Sequence, residues 1–310
     1  MASTEQKPKA TNPVVHEADA AVQGLAVHSR GPLGNAFLRF LDNKAAVTSG
    51  IVLILITIMA IFAPLFAKTG FNAQIFLDKA LGFPTAENWF GVDAVGRDLY
   101  SRIVFGARVS LGVGVTSALI SLVIGLPLGA LAGFKGGTAD WIIMRIVEIF
   151  SVIPPLLVAL LIAVLIGGGV INVILISSAF GWVMVCRLVR GQVMAYRRSP
   201  FVVAARSMGA SSWYLIRRHL IPNSVSPLIV GFVLAIPRAM MLEASLSFLG
   251  AGIDPPIPSW GQMISDGLYY MFFYWHLAVF PTLALAILVL STSLFGDGLR
   301  DALDPTMQGK

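Results

Sequence analysis

Charge and cysteine are both scarce in this chain. Only 12% of its 310 residues are Asp, Glu, Lys or Arg, about half the share of a soluble domain. Hydrophobic residues make up 56%, and the mean hydropathy is +0.81. That balance excludes an ordinary soluble domain and points to an integral membrane protein. The single cysteine, Cys186, excludes an internal disulfide and reads as a packing thiol near a helix end. No G-x-x-x-x-G-K-[ST] occurs, so this chain is not expected to cradle ATP phosphates; "GALAGFKGG" has the glycines without the spacing. No H-E-x-x-H occurs either. Two of the four histidines, His16 and His28, lie in the polar N-terminal tail. The other two, His219 and His276, fall on opposite sides of the membrane in the topology derived below. Glu148 and Glu243 are acids with no nucleophile placed beside them. We therefore expect no catalytic residue, no metal site and no cofactor in this chain. The first 32 residues also lack the apolar core of a secretory signal, which predicts an uncleaved, disordered tail.

Long apolar runs are what the sequence does have. A spanning helix needs about 20 mostly apolar residues, and six stretches qualify: 47–67, 109–133, 141–166, 169–188, 225–249 and 277–296. The fold class is thus all-α, a six-helix membrane domain over 47–310 with both termini on one side. Before it, "PLGNAFLRFLDNKAAV" sets Leu33, Phe37, Phe40 and Leu41 at helical spacing. This predicts an interfacial helix over 33–46.

Charge sets the orientation. Between Arg187 and Pro222 stand Arg187, Arg190, Arg197, Arg198, Arg206, Arg217 and Arg218, with no acid among them. From Leu249 to Pro281 the only charges are Asp254 and Asp266. Basic residues bias short loops to the cytoplasm. The 189–223 loop and both termini are then cytoplasmic, and segments 68–106 and 250–276 face outward. In the first of these, Lys79, Arg97 and Arg102 stand against Asp78, Glu87, Asp93 and Asp98. Asp93, Arg97, Asp98 and Arg102 read as a local charge network. The net charge of +6 is accounted for by arginines beside apolar spans, so nucleic acid is not an expected partner.

Two short stretches carry the functional signal. In the fifth span, "AIPRAMMLEAS" puts Pro237, Arg238 and Glu243 inside the bilayer. A mid-membrane charge needs a partner or the bundle interior. Glu148, with Arg145 one turn before it, is a candidate partner. The two readings are a structural ion pair between helices, or contact of Arg238 or Glu243 with a passing polar substrate. In the basic loop, Ser199 and Pro200 suit a helix start, Gly209 suits its end, and Ser211 or Ser212 can cap a second helix, "WYLIRRHL". Trp213, Ile216 and Leu220 then share one face, Arg217 and Arg218 lie to the side, and Pro222 stops the helix. Such a helix–glycine–helix lies on the lipid surface or docks in a groove on a cytoplasmic partner.

"VAARSMGASSWYLIRRHLIP" resembles the EAA loop of ABC-importer permeases, with Ala204, Ala205, Gly209 and Pro222 at matching positions and Val203 where the family has glutamate. "WFGVDAVGRDLYSRIVFGARVSL", "EASLSFLGAGIDPPIPSWGQM" and "GDGLRDALDP" resemble the C-type permeases of the dipeptide, oligopeptide and nickel importers. The resemblance implies one of two non-identical pore-forming permeases in a bacterial inner membrane. Two cytoplasmic ATPases, which hold ATP and magnesium, would grip the loop through Ala204, Ala205, Arg206, Gly209, Trp213, Arg217, Arg218 and Pro222. An external binding protein would deliver the cargo. Peptides are the default cargo, with nickel, glutathione, opines and sugars among relatives. Asp93, Arg97 and Trp260 are candidate contacts for the binding protein, Trp260 having the headgroup belt as its other reading. The rival class is a gradient-driven secondary transporter or channel, which would explain six spans but not a partner-docking loop.

Overall fold

The computed structural model describes residues 32–303; the tail expected over 1–32 falls almost wholly outside the described residues. Among the described residues the chain is helical, with one isolated β-bridge between Val92 and Asp98. A short helix α1 (Pro32–Asp42) leads into α2 (Lys44–Ile61), which Asn43 caps by accepting a hydrogen bond from the Ala46 amide at 3.1 Å. Phe62 breaks the helix before α3 (Ala63–Phe66), whose second residue is Pro64. After an irregular segment come α4 (Leu99–Lys135), α5 (Gly137–Val152), α6 (Pro155–Ile166) and α7 (Val170–Tyr196). The basic loop holds α8 (Pro200–Ser207), α9 (Ser212–Leu215) and α10 (Ile221–Asn223). Helix α11 (Val225–Phe248), α12 (Trp260–Leu268) and α13 (His276–Leu303) complete the described residues.

Five of these helices are long and apolar enough to cross a membrane, and α5 with α6, bent by 85° at the break between them, together have the length and apolar composition of a sixth. The span expected over 141–166 is thus built from two helices that meet at a bend. Pro154 and Pro155 remove two backbone donors, and a residue before proline is pushed out of the helical region; Ile153 is extended at φ −76°, ψ 127°. The pair still crosses, because its two ends pack at opposite ends of the bundle. Asp140 in α5 binds Arg190 near the end of α7, whereas the Gly169 amide after α6 donates to the Gly252 carbonyl at 2.8 Å. Helix α4 starts at Leu99, ahead of the predicted 109, because Asp98 caps it by accepting from the Ser101 amide (2.8 Å) and hydroxyl (2.7 Å). Hydropathy registers the apolar stretch of such a helix and not its polar first turns.

One end of the bundle gathers the 68–106 and 250–276 segments. The Ser101 hydroxyl accepts from the Lys68 and Thr69 amides, and the Trp260 indole donates to the Ile103 carbonyl at 3.0 Å. The opposite end gathers the C-termini of α4 and α7 and the basic loop.

The tightest seam joins α4 to α7. Ser117, Ser121, Gly125, Gly129 and Gly133 recur every fourth residue on α4, which places them along one ridge. A Cβ on Gly125 would lie 2.7 Å from the Trp182 carbonyl oxygen, and one on Gly133 2.7 Å from that of Arg190. At Gly129 the Cys186 carbonyl is nearer still. The Ser117 and Ser178 hydroxyls reach across to the Ile174 and Ser117 carbonyls. Small residues let the backbones approach where lipid offers no hydrophobic drive. Cys186 is buried in the middle of α7 rather than near a helix end.

Candidate functional site

The basic loop is built as a helix, a left-handed glycine and a second helix. Helix α8 begins at Pro200 after an extended Ser199, whose side chain makes no cap bond. It ends in a Schellman motif: the Gly209 amide donates to Arg206 (2.9 Å) and the Ala210 amide to Ala205 (3.1 Å). That closure requires φ +85° at Gly209, and a Cβ there would meet nothing within 4 Å. Ser211 caps α9 by accepting from the Tyr214 amide at 3.3 Å.

The expected shared face of Trp213, Ile216 and Leu220 is not formed. A π turn over Ile216–Leu220 shifts the register, burying Leu215, Ile216 and Leu220 while Trp213 stays 68% exposed. The same turn carries the helix through Pro222, the predicted stop, to Asn223. In it the Ile221 amide bonds the Ile216 carbonyl, a wider closure that accommodates a residue without a donor. Val202, Ala205, Leu215, Ile216 and Leu220 pack on Ala130 and Phe134 of α4, Val189 and Val193 of α7, and Leu228 of α11. Arg206 turns back over the Phe134 ring, 5.2 Å from its centroid. Pointing away from the bundle are Met208, 82% exposed, and Trp213, with Ala204, Arg217, Arg218 and Pro222 also exposed. Val203, at the family's glutamate position, is exposed too and adds apolar surface instead of charge.

The mid-membrane charges do not pair as the sequence suggested. Glu148 binds Arg145 at 2.6 Å on its own helix, so it is not the partner of Arg238. Glu243 is fully buried, at 0% exposure. Its Oε1 accepts from the Ser247 (2.8 Å) and Ser259 (2.5 Å) hydroxyls and its Oε2 from Ser110 (3.3 Å). This serine cage ties α11 to α4 and to the loop before α12, and it removes Glu243 from any path open to substrate. Arg238 is exposed, and its guanidinium rests against the Met184 sulfur. It lines a cavity of about 460 Å³ between α7 and α11 and a second of about 580 Å³ reaching the α5–α6 break.

At the end of the bundle opposite the basic loop, Asp93 accepts from Arg97 at 2.7 Å and lies 3.6 Å from Arg102. Asp98, expected in that network, serves as the helix cap instead. Arg102 is 2% exposed and donates to the Phe71 carbonyl at 3.1 Å, fastening the outer segment. Trp260 is 1% exposed, packed against Gly106 with its indole bonded to Ile103. Neither an external partner nor a lipid headgroup can reach it, which corrects both earlier readings. Sequence reasoning missed the small-residue ridge and the serine cage. The fourfold spacing of Gly125, Gly129 and Gly133 was a readable signal for the first; nothing in the chain order joins Ser110 to Glu243.

Residues 125–309, more than half of the chain, match the family described as binding-protein-dependent transport system inner membrane component. The chain belongs to that family. Residues 31–82 match the N-terminal membrane domain of oligopeptide transport permease C. The Bacillus subtilis oligopeptide permease OppC is 39% identical over 277 residues, covering 88% of this chain and 90% of the relative. The glutathione permease GsiD of Pectobacterium atrosepticum is 39% identical, covering 90% and 93%, and the Bacillus subtilis dipeptide permease DppC is 39% identical, covering 88% and 86%. Solved structures of the MetNI methionine ABC transporter share the fold, with a TM-score of 0.53 at 22% identity over 66% of this chain and 96% of that one. This importer permease is thus a multi-pass protein of the inner membrane and the pore-forming, translocating part of an ATP-driven system.

Proposed function

We propose that this permease imports di- and oligopeptides, and that its basic loop is the handle by which cytoplasmic ATPases drive it. The observation that carries the reading is the two-sided loop. Its inner face is fixed to α4, α7 and α11, while Met208 and Trp213 project from its outer face. A large exposed methionine and tryptophan on a rigid turn suit an apolar groove on a partner. The arginines favour a cytoplasmic position for this end under the positive-inside rule, and the importers named above suggest peptide as the cargo class. A second, homologous permease completes the pore. Two separate ATPase chains bind ATP and magnesium, this chain binding neither, and an external binding protein delivers the cargo. The outer Asp93–Arg97 pair, only part-buried, remains the candidate contact for it.

Purification of the complex in mild detergent tests the reading. The wild-type chain is expected to bring a second permease and two P-loop ATPases. Met208→Asp with Trp213→Asp is expected to lose the ATPases and keep the second permease. ATPases retained at wild-type stoichiometry would show that the loop is not the handle. A chain that purifies alone and imports on an ion gradient would favour the secondary transporter.

A further inference from the structure

Arg238 is the fourteenth residue of α11, about 20 Å along the helix from its start. It therefore sits near mid-membrane, where a charge is costly unless something compensates it. The acids that could do so are engaged elsewhere: Glu148 with Arg145, Glu243 inside its serine cage, and Asp140 with Arg190. No ion pair to Arg238 occurs among the described residues. The linings of its two cavities contain no carboxylate, and the larger holds a second cation, Arg187, whose guanidinium donates to Ser151 at 2.6 Å. The remaining lining is apolar or small, with Phe180, Met184 and Leu188 on one side and Ser121, Ser177 and Ser245 offering hydroxyls. Pro237, immediately before Arg238, lies inside the helix and removes a backbone donor there.

We propose that Arg238 is the cargo-reading cation of this permease and receives the C-terminal carboxylate of a peptide in transit. The assignment rests on the peptide cargo proposed above. Guanidinium and carboxylate match as a two-pronged, charge-assisted pair. An importer passing peptides of varied sequence gains most from a group that every peptide carries, and the apolar walls tolerate varied side chains. The guanidinium lies against the Met184 sulfur, which is uncharged and does not neutralise it.

The test uses the complete transporter in proteoliposomes, with ATP inside, the binding protein outside, and radiolabelled trialanine as cargo. Its only carboxylate is the C-terminal one. Arg238→Gln is expected to lower the uptake rate about tenfold, the loss of one charged hydrogen-bond pair. Met184→Glu supplies Arg238 with a resident carboxylate and is expected to act alike. Arg238→Lys, which keeps the charge but loses the second prong, is expected to fall between wild type and Arg238→Gln, and Met184→Gln is expected to stay within about threefold of wild type. The assignment is overturned if uptake follows bulk instead of charge, so that Lys is as poor as Gln at 238, or Glu and Gln are equivalent at 184. Loss of the second permease from the Arg238→Gln complex would equally overturn it, naming an acid of that subunit as the partner. Where the Arg238→Gln chain itself does not accumulate in the membrane, the Met184 pair decides. Absence of ATP-dependent trialanine uptake in the wild type would refute the peptide reading itself.

Discussion

Replacing Gly209 isolates what the turn of the basic loop contributes. A Cβ at this position meets no atom within 4 Å, so a substitution there causes no clash. Its cost comes from holding φ at +85°, about 1–2 kcal/mol for an L-residue in the left-handed region. That energy would raise the population of loops with an opened turn by about 5- to 30-fold. The Schellman bonds from Gly209 and Ala210 would be lost first, and with them the fixed angle between α8 and α9. We expect Gly209→Val to show the largest loss of ATP-driven uptake and Gly209→Ala a smaller one. Gly209→Asn should be the mildest, since asparagine visits positive φ more readily. Membrane vesicles containing the full transporter give the uptake rate, and limited trypsin digestion at Arg206 and Arg217 reports the opened loop. Asn as damaging as Val would refute the backbone argument. Wild-type uptake for all three, with trypsin cutting faster, would refute the idea that loop geometry carries the drive.

Glu243→Ala removes the acceptor for the Ser110, Ser247 and Ser259 hydroxyls and leaves a hole; we expect about 3 kcal/mol of lost stability, read as a lower midpoint in thermal unfolding of the detergent-solubilised complex. Glu243→Gln keeps the shape and should unfold close to wild type while importing normally, and a selective loss of import in that variant would return Glu243 to the cargo path. Gly129→Ala drives a methyl into the Cys186 carbonyl across the α4–α7 seam. It should cost about 1–3 kcal/mol in the same assay, whereas Gly112→Ala, with open space around it, should cost almost nothing.

The apolar runs made the crossings legible, because they reflect the bilayer acting on composition. The α5–α6 break was written as "IPP", yet hydropathy ignores backbone chemistry, so a window scan reads through it. Gly209 was legible since only one kind of residue closes that turn cheaply. The inward and outward faces of the second loop helix were not, because a π turn displaces the register that a 3.6-residue count assumes. Trp260 and Glu243 misled for a shared reason. An aromatic in an outer loop and an acid in a span each carry a strong default, and each default was overridden by groups more than a hundred residues away, Ile103 and Ser110.

The loop and the cavity belong to one mechanical argument. Helices α4 and α7 interlock at every fourth residue, so neither can slide past the other without driving a carbonyl into a backbone. The buried side of the loop rests on the near ends of both, so a pull on Met208 and Trp213 by the proposed partner would move the pair as a body. Helix α7 carries Phe180, Met184 and Leu188, which wall both cavities. Helix α11 faces them across the cavity, starting directly after the loop at Val225, with Pro237 breaking its hydrogen-bond ladder just before Arg238. At its far end α11 is held by the serine cage to α4 and to the loop before α12. Force applied at the loop thus reaches a helix anchored at its outer end and weakened near its middle. A bend there would fall at Pro237, and it would displace the guanidinium proposed to hold the cargo. Binding at Arg238 and docking at the loop would then be coupled through α7, which carries Met184, and through α11, which carries Arg238. A cargo that favours one setting of Arg238 must, by linkage, favour the corresponding setting of the loop to the same degree.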